Sequence, residues 1–359
     1  MVDYNIEIAE GFELLTQGEY EKSLEKFIKA IEVNSESPEA YSLASEAFAQ
    51  IGDIEKALTH AELAYKKDSE KPEYTLQYAS MLYASGENEE GLRLANEAQR
   101  HGDMAEVHLL KSNIYMDMEE DSKALKEAKI AYEMDKNPIY STNYALILKE
   151  SGKIQESTDL LTKNLNEDPD NVDIAYLLYQ NELAEDHLGE ALEYITKCLR
   201  LEPEEPLFYS EIAAVMDELE DGELAEKYYS KAFEVSDSDP DYAMELAEFY
   251  FESDMLDDAF NTLEKSHDDE DPEYYILMGK IMMAKKEYNK SMGYLDMAIE
   301  MADDPEAKIT KAMCLYEINR LDESESLLKE ALKQDFQSDY IDSLLRKVSW
   351  KSNRKKFKL

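Results

Sequence analysis

Two cysteines in 359 residues leave no material for a disulfide framework. Cys198 and Cys314 stand 116 positions apart, each where a small buried side chain is wanted, and both read as structural thiols of a reducing compartment. Long apolar runs are missing as well. No stretch approaches the roughly 18 apolar residues of a membrane span, and the opening MVDYNIEIAE has neither a basic nor an apolar leader segment. The expected location is the cytoplasm. Arginine is rare, 6 against 32 lysines, too few for bidentate anion sites; lysine is not suppressed, which argues against salt adaptation as the origin of the acidity.

Catalytic signatures are missing too. His60, His101, His108, His187 and His267 are scattered, with no HExxH helix and no Cys/His ligand cluster. The acidic runs Asp237, Asp239, Asp241 and Asp268, Asp269, Glu270, Asp271 lack the central glycine and closing glutamate of a calcium loop. They surround prolines, and read as helix caps and first-turn charges. Glycines are spaced as turns, not as a phosphate-cradling loop. The chain therefore offers no catalytic residue, no cofactor site and no metal site, and is not expected to be an enzyme.

What is present is a period. Pro38, Pro72, Pro138, Pro206, Pro240, Pro272 and Pro305 are separated by 34, 66, 68, 34, 32 and 33 residues, and Pro169 and Pro203 also fall in joints. Every expected helix interior is thus free of proline. Gly18, Gly52, Gly86 and Gly152 keep the same phase, as do Ala57, Ala124, Ala191, Ala225 and Ala259. Each unit reads as a proline-opened helix of about 14 residues, a turn made by glycine or a polar residue, and a second helix with small residues on one face. In two units Gly91 and Ser157 replace the central alanine.

A helix–turn–helix unit of this length, with aromatic or apolar residues early in its first helix and an A-x3-F/Y-x2-A pattern in its second, resembles the tetratricopeptide repeat. Tyr41, Ala44, Phe48, Gly52, Ala57 and Ala64 carry the resemblance in one unit; Tyr209, Ile212, Ala213, Ala225, Tyr229, Ala232 and Phe233 carry it in another. About ten units open near residues 4, 38, 72, 105, 138, 172, 206, 240, 272 and 305. The resemblance implies an all-α, right-handed α-solenoid over residues 1–337, which grows by stacking. Residues 338–350, with Tyr340, Ile341, Leu344, Leu345 and Val348 on one stripe, read as a capping helix. Residues 351–359 read as a basic flexible tail.

Charge divides along the chain. Residues 1–342 hold 31 basic and all 82 acidic residues, a net −51, whereas seven basic residues and no acidic one follow Asp342. Such a polyanion is not expected to bind nucleic acid through the array. The resemblance places a partner-binding groove on the first helix of each unit, at its second, fifth, ninth and twelfth or thirteenth positions. Carried onto this chain, those positions give Phe12, Ser42, Glu46, Tyr83, Glu106, Asn113, Met116, Tyr176, Gln180, Met244, Glu248, Phe251, Met283, Met313 and Tyr316. Lys149 and Lys280 are the basic residues of that lining. The cationic clamp by which chaperone-binding members hold a C-terminal carboxylate is not matched, because Ile8, Phe12, Glu46 and Leu76 stand there.

The expectation is a non-enzymatic protein-binding scaffold whose acidic, Tyr- and Met-bearing groove takes a basic or amphipathic partner segment. The alternative is an accessory subunit that positions an enzyme or assembly machinery. The tail is a candidate for weak contact with an anionic surface or with its own groove.

Overall fold

A computed structural model of the chain describes residues 3–266, 270–334 and 338–356. Every regular element among them is a helix. They fall into two compact units, Met1–His187 and Leu188–Leu359.

The first unit holds α1 (Tyr4–Thr16), α2 (Tyr20–Val33), α3 (Pro38–Ile51), α4 (Ile54–Lys67), α5 (Pro72–Ala84) and α6 (Asn88–His101). It continues through α7 (Ala105–Asp117), α8 (Asp121–Met134), α9 (Pro138–Glu150), α10 (Ile154–Glu167) and α11 (Val172–Ala184). The second unit begins with α12 (Leu188–Leu201), α13 (Pro206–Glu218), α14 (Gly222–Val235), α15 (Pro240–Glu252) and α16 (Leu256–Lys265). It closes with α17 (Pro272–Ala284), α18 (Tyr288–Ala302), α19 (Pro305–Glu317), α20 (Leu321–Leu332) and α21 (Ser338–Lys356).

Local chemistry sets the helix starts. Proline opens α3, α5, α9, α13, α15, α17 and α19, where its missing N–H is harmless. Asp239 and Asp271 cap α15 and α17 by accepting from the amides of Asp241 and Glu273. Their expected capping role is therefore met, whereas Asp237 instead takes a left-handed turn conformation, with φ 58°. Asp268 and Asp269 lie outside the described residues.

The turn inside each repeat has one backbone solution. Gly18, Gly52, Gly86 and Gly152 have φ between 74° and 86°, and Glu119, Asp186, Glu220, Asp254, Lys286 and Asn319 take the same left-handed region at the equivalent place. Glycine enters it without steric cost; the others carry strain of about 1–2 kcal/mol.

Within each hairpin, close approach is arranged by pairs of residues. Gly11 lies under Phe27 of α2, and Gly279 under Leu295 of α18; a Cβ at either glycine would stand 2.6 Å from the opposing side chain. Where serine replaces the small residue of the second helix, its hydroxyl is satisfied across the hairpin. Ser157, Ser291 and Ser324 each donate to the carbonyl twelve residues earlier, that of Ala145, Gly279 and Ala312, at 2.7 Å. These bonds let a polar atom occupy a fully buried seam. Cys198 and Cys314 are both fully buried, and burial pushes the Cys314 thiol up.

Successive hairpins stack through their second helices: α2 packs on α3, α4 on α5 and α8 on α9 in the first unit, and α18 on α19 in the second. First helices also meet one another, as α7 meets α9 and α17 meets α19, so they line a shared face. At the end of the second unit α21 packs on α20 and buries Ile341 and Val348. The expected capping helix is longer than 338–350. It runs to Lys356, over part of the segment expected to be flexible, because Lys351 is anchored: its ammonium donates to the Tyr316 carbonyl at 2.8 Å and lies 3.8 Å from that ring's centre. Residues 357–359 lie outside the described residues.

Candidate functional site

The residues placed on the first-helix face divide by exposure. Phe12, Glu46, Glu106 and Glu248 are exposed; Ser42, Tyr83, Asn113, Met116, Tyr176, Gln180, Met244, Phe251, Met283, Met313 and Tyr316 are half-buried. Phe12 leaves 53% of its surface accessible, a large apolar side chain facing water. The half-buried ones are partly spent on packing. Met116 lies against the Ala124, Ala128 and Ile147 cluster, while Met244, Phe251 and Met283 lean on the core around Ile281 and Leu295.

Between adjacent first helices the polar members form a ladder. In the first unit Gln77 donates to the Ser42 carbonyl at 2.9 Å, Asn143 to the Asn113 side chain at 2.7 Å, and Lys149 to Gln180 at 3.2 Å. In the second unit Ser210 donates to Glu245, and Lys280 pairs with Glu306 at 2.5 Å. Both groove lysines are thus engaged by neighbours. The face that remains has acidic points at Glu46, Glu106 and Glu248. Glu46 is exposed as a residue, yet desolvation of its carboxyl end pushes its pKa up. Tyr83 is also pushed up, by burial first and then by Asp117 beside it.

One part of the face becomes a pocket. Of about 200 Å³, it opens among α15, α16 and α17. Met244, Leu263 and Tyr274 supply its apolar surface; Asp241, Glu245, Glu248, Asp271 and Glu273 supply five carboxylates. Among the described residues no cationic one lines it. Burial is legible in the carboxyls: Glu245 and Glu248 are both pushed up, by desolvation first, against the opposing Ser210 hydroxyl and Lys280 ammonium respectively, with neighbouring acids adding to the rise. A pocket with an apolar floor and a carboxylate rim suits an alkyl stem ending in a cation. Among the described residues no cluster of His, Cys, Asp and Glu is placed to hold a metal ion.

The structure thus brings Met244 and Glu248 into one site, and Met283, Met313 and Tyr316 into another at the second unit's C-terminal end. The remaining chosen residues lie on the first helices of one unit or the other. Sequence reasoning missed Glu245, Asp271 and Glu273. Glu245 follows Met244 by one position, just outside the groove phase, and Asp271 reads as a cap, which it also is. Charge density around Pro240 and Pro272 was the available signal.

Comparison with known proteins bears on the repeat. Family models of the tetratricopeptide repeat match residues 8–72 and 282–348. No curated protein matches the sequence. Among solved structures, a tetratricopeptide repeat protein from Parabacteroides merdae is similar at 17% identity over 69% of this chain and 100% of its own, with a TM-score of 0.51. Yeast Tom70 is similar at 13% identity, over 98% of this chain and 96% of its own, with a TM-score of 0.46. TTC0263 from Thermus thermophilus is similar at 20% identity over 50% of this chain and 100% of its own, with a TM-score of 0.46.

Proposed function

Since the chain is a tetratricopeptide-repeat protein, built on a fold that typically serves as a non-catalytic scaffold, we propose that it binds a basic, partly apolar segment of a partner protein along its first helices. The pocket of five carboxylates over Met244, Leu263 and Tyr274 carries this reading. A lysine or arginine entering it exchanges like-charge repulsion for attraction while its methylenes cover apolar surface. Within the first unit, first helices likewise carry the exposed acids Glu46 and Glu106. A partner of this chemistry is a protein rather than a nucleic acid, whose phosphates the net −51 of residues 1–342 would repel. A reducing compartment such as the cytoplasm suits the two buried thiols.

The test is titration of the full-length protein with a labelled peptide of interspersed lysines and leucines, followed by fluorescence anisotropy. Saturable binding that is lost on combining Glu46→Lys, Glu106→Lys and Glu248→Lys supports the reading. Unchanged binding in that triple variant overturns it.

A further inference from the structure

At the C-terminal end of the second unit the sign of the surface reverses. Helices α17, α19, α20 and α21 enclose a pocket of about 320 Å³ with apolar walls, among them Met283, Met313, Tyr316 and Leu344. Lys286, in the turn between α17 and α18, and Lys347 of α21 line its mouth. Both are exposed and neither has a carboxylate partner among the described residues. Other lysines of this unit are paired: Lys280 with Glu306, Lys308 with Asp303, Lys311 with Asp296. One acid, Glu317, belongs to the lining. In a chain with 82 acidic and 38 basic residues, two uncommitted cations at an apolar mouth define a chemistry opposite to that of the carboxylate pocket.

We propose that this pocket is a second binding site, which takes a bulky apolar side chain flanked by carboxylates on an acidic segment of a partner protein. Its volume lies at the low end of the roughly 300–1,000 Å³ of ligand pockets, room for an aromatic or leucine anchor rather than a large cofactor. The anchor removes apolar wall from water, and the flanking carboxylates meet Lys286 and Lys347. Lys351 reinforces the choice of sign. It occupies the ring and carbonyl of Tyr316, so a partner's cation finds that seat taken and meets positive charge beside it. None of these residues belongs to the carboxylate pocket, and the two sites stand or fall separately.

The experiment uses full-length protein with methionine ε-methyl groups labelled for NMR, and three short synthetic peptides. One carries phenylalanine among aspartates and glutamates, the second serine in place of that phenylalanine, the third lysines in place of the acids. The first peptide is expected to bind saturably and to shift Met283 and Met313 while leaving the exposed Met134 in place. Combining Lys286→Glu with Lys347→Glu is expected to weaken it about tenfold. Glutamate already occupies the equivalent left-handed turn position at Glu119 and Glu220, so the first change is compatible with the turn. Equal binding of the phenylalanine and serine peptides, an unaltered affinity in the double variant, or shifts of Met283 and Met313 by the basic peptide instead would each overturn the proposal. The basic peptide read at Met244 reports on the carboxylate pocket alone, which keeps the two failures distinct.

Discussion

A Cβ atom at Gly279 would stand 2.6 Å from both Cγ and Cδ2 of Leu295, a side chain with no exposed surface. The hairpin of α17 and α18 is therefore closed to a depth that glycine permits. Gly279→Ala is expected to destabilise the protein by about 1–3 kcal/mol through overpacking. Combined with Leu295→Ala it should cost less than the sum of the two single changes, since each relieves what the other disturbs. Chemical denaturation of the four proteins gives the coupling, and strict additivity would show that the contact does not limit the approach.

The turn residues make an independent prediction. Gly52 has φ 86°, and nothing lies within 4 Å of the place a Cβ would take, so Gly52→Ala acts through backbone strain alone and should cost about 1 kcal/mol. Glu220→Gly, at φ 60°, should be neutral or slightly stabilising, because the strain it releases opposes the extra freedom of glycine in the unfolded chain. Melting temperatures that move the same way for both would contradict a left-handed requirement at this position.

Replacing the raised carboxyls should separate stability from binding. A glutamate whose folded pKa lies above its unfolded value contributes stability that is complete below the unfolded pKa and is lost as pH rises through the folded one. Glu245 and Glu248 are of this kind. Glu245→Gln with Glu248→Gln should therefore raise Tm at neutral pH, with the advantage shrinking as pH falls through the raised folded pKa values and gone below the unfolded ones. The same variant should bind a basic peptide more weakly, and wild-type binding should begin to fade on acidification at a pH above the ordinary carboxylate range. A neutral-pH Tm that drops would refute the reading that folding disfavours the ionised form of these acids.

Salt offers a further check on the acidic face. Binding of a basic peptide should weaken steeply between low and physiological ionic strength, where the Debye length shortens to about 8 Å. A flat salt profile would mean that apolar contact, not charge, holds the ligand.

In the first unit, Glu127 accepts from His108 Nδ1 at 2.5 Å and from Lys111 Nζ at 3.0 Å, all three side chains being buried. Asp103 lies 3.0 Å from His108 Nε2. Glu127→Ala would leave the lysine without its buried counter-charge and should cost about 3–5 kcal/mol. Denaturation followed by circular dichroism measures it; a loss below 1 kcal/mol would place the cluster in effective contact with water.

Much of the repeat is readable in the chain itself, because its determinants are local. Proline can stand at a helix start and not in its interior, and small residues spaced four and three apart must share a helical face. Residues such as Pro240 and Ala57 therefore declare their roles from position alone. Which side chains meet across the stack is not readable in the same way. Glu245 and Glu273 are 28 residues apart and share a pocket because α15 and α17 lie side by side; Lys286 and Lys347 share a mouth because α21 folds onto the last hairpin. The length of α21 escapes a local reading for the same reason. KSNRKK carries no apolar residue to mark it for packing, and it is Tyr316, from another helix, that holds Lys351 in place. Period, class of element and overall charge follow from the order of residues, because each depends on neighbours along the chain. Where charge of each sign collects follows from packing, since that depends on distances between residues that the chain keeps far apart.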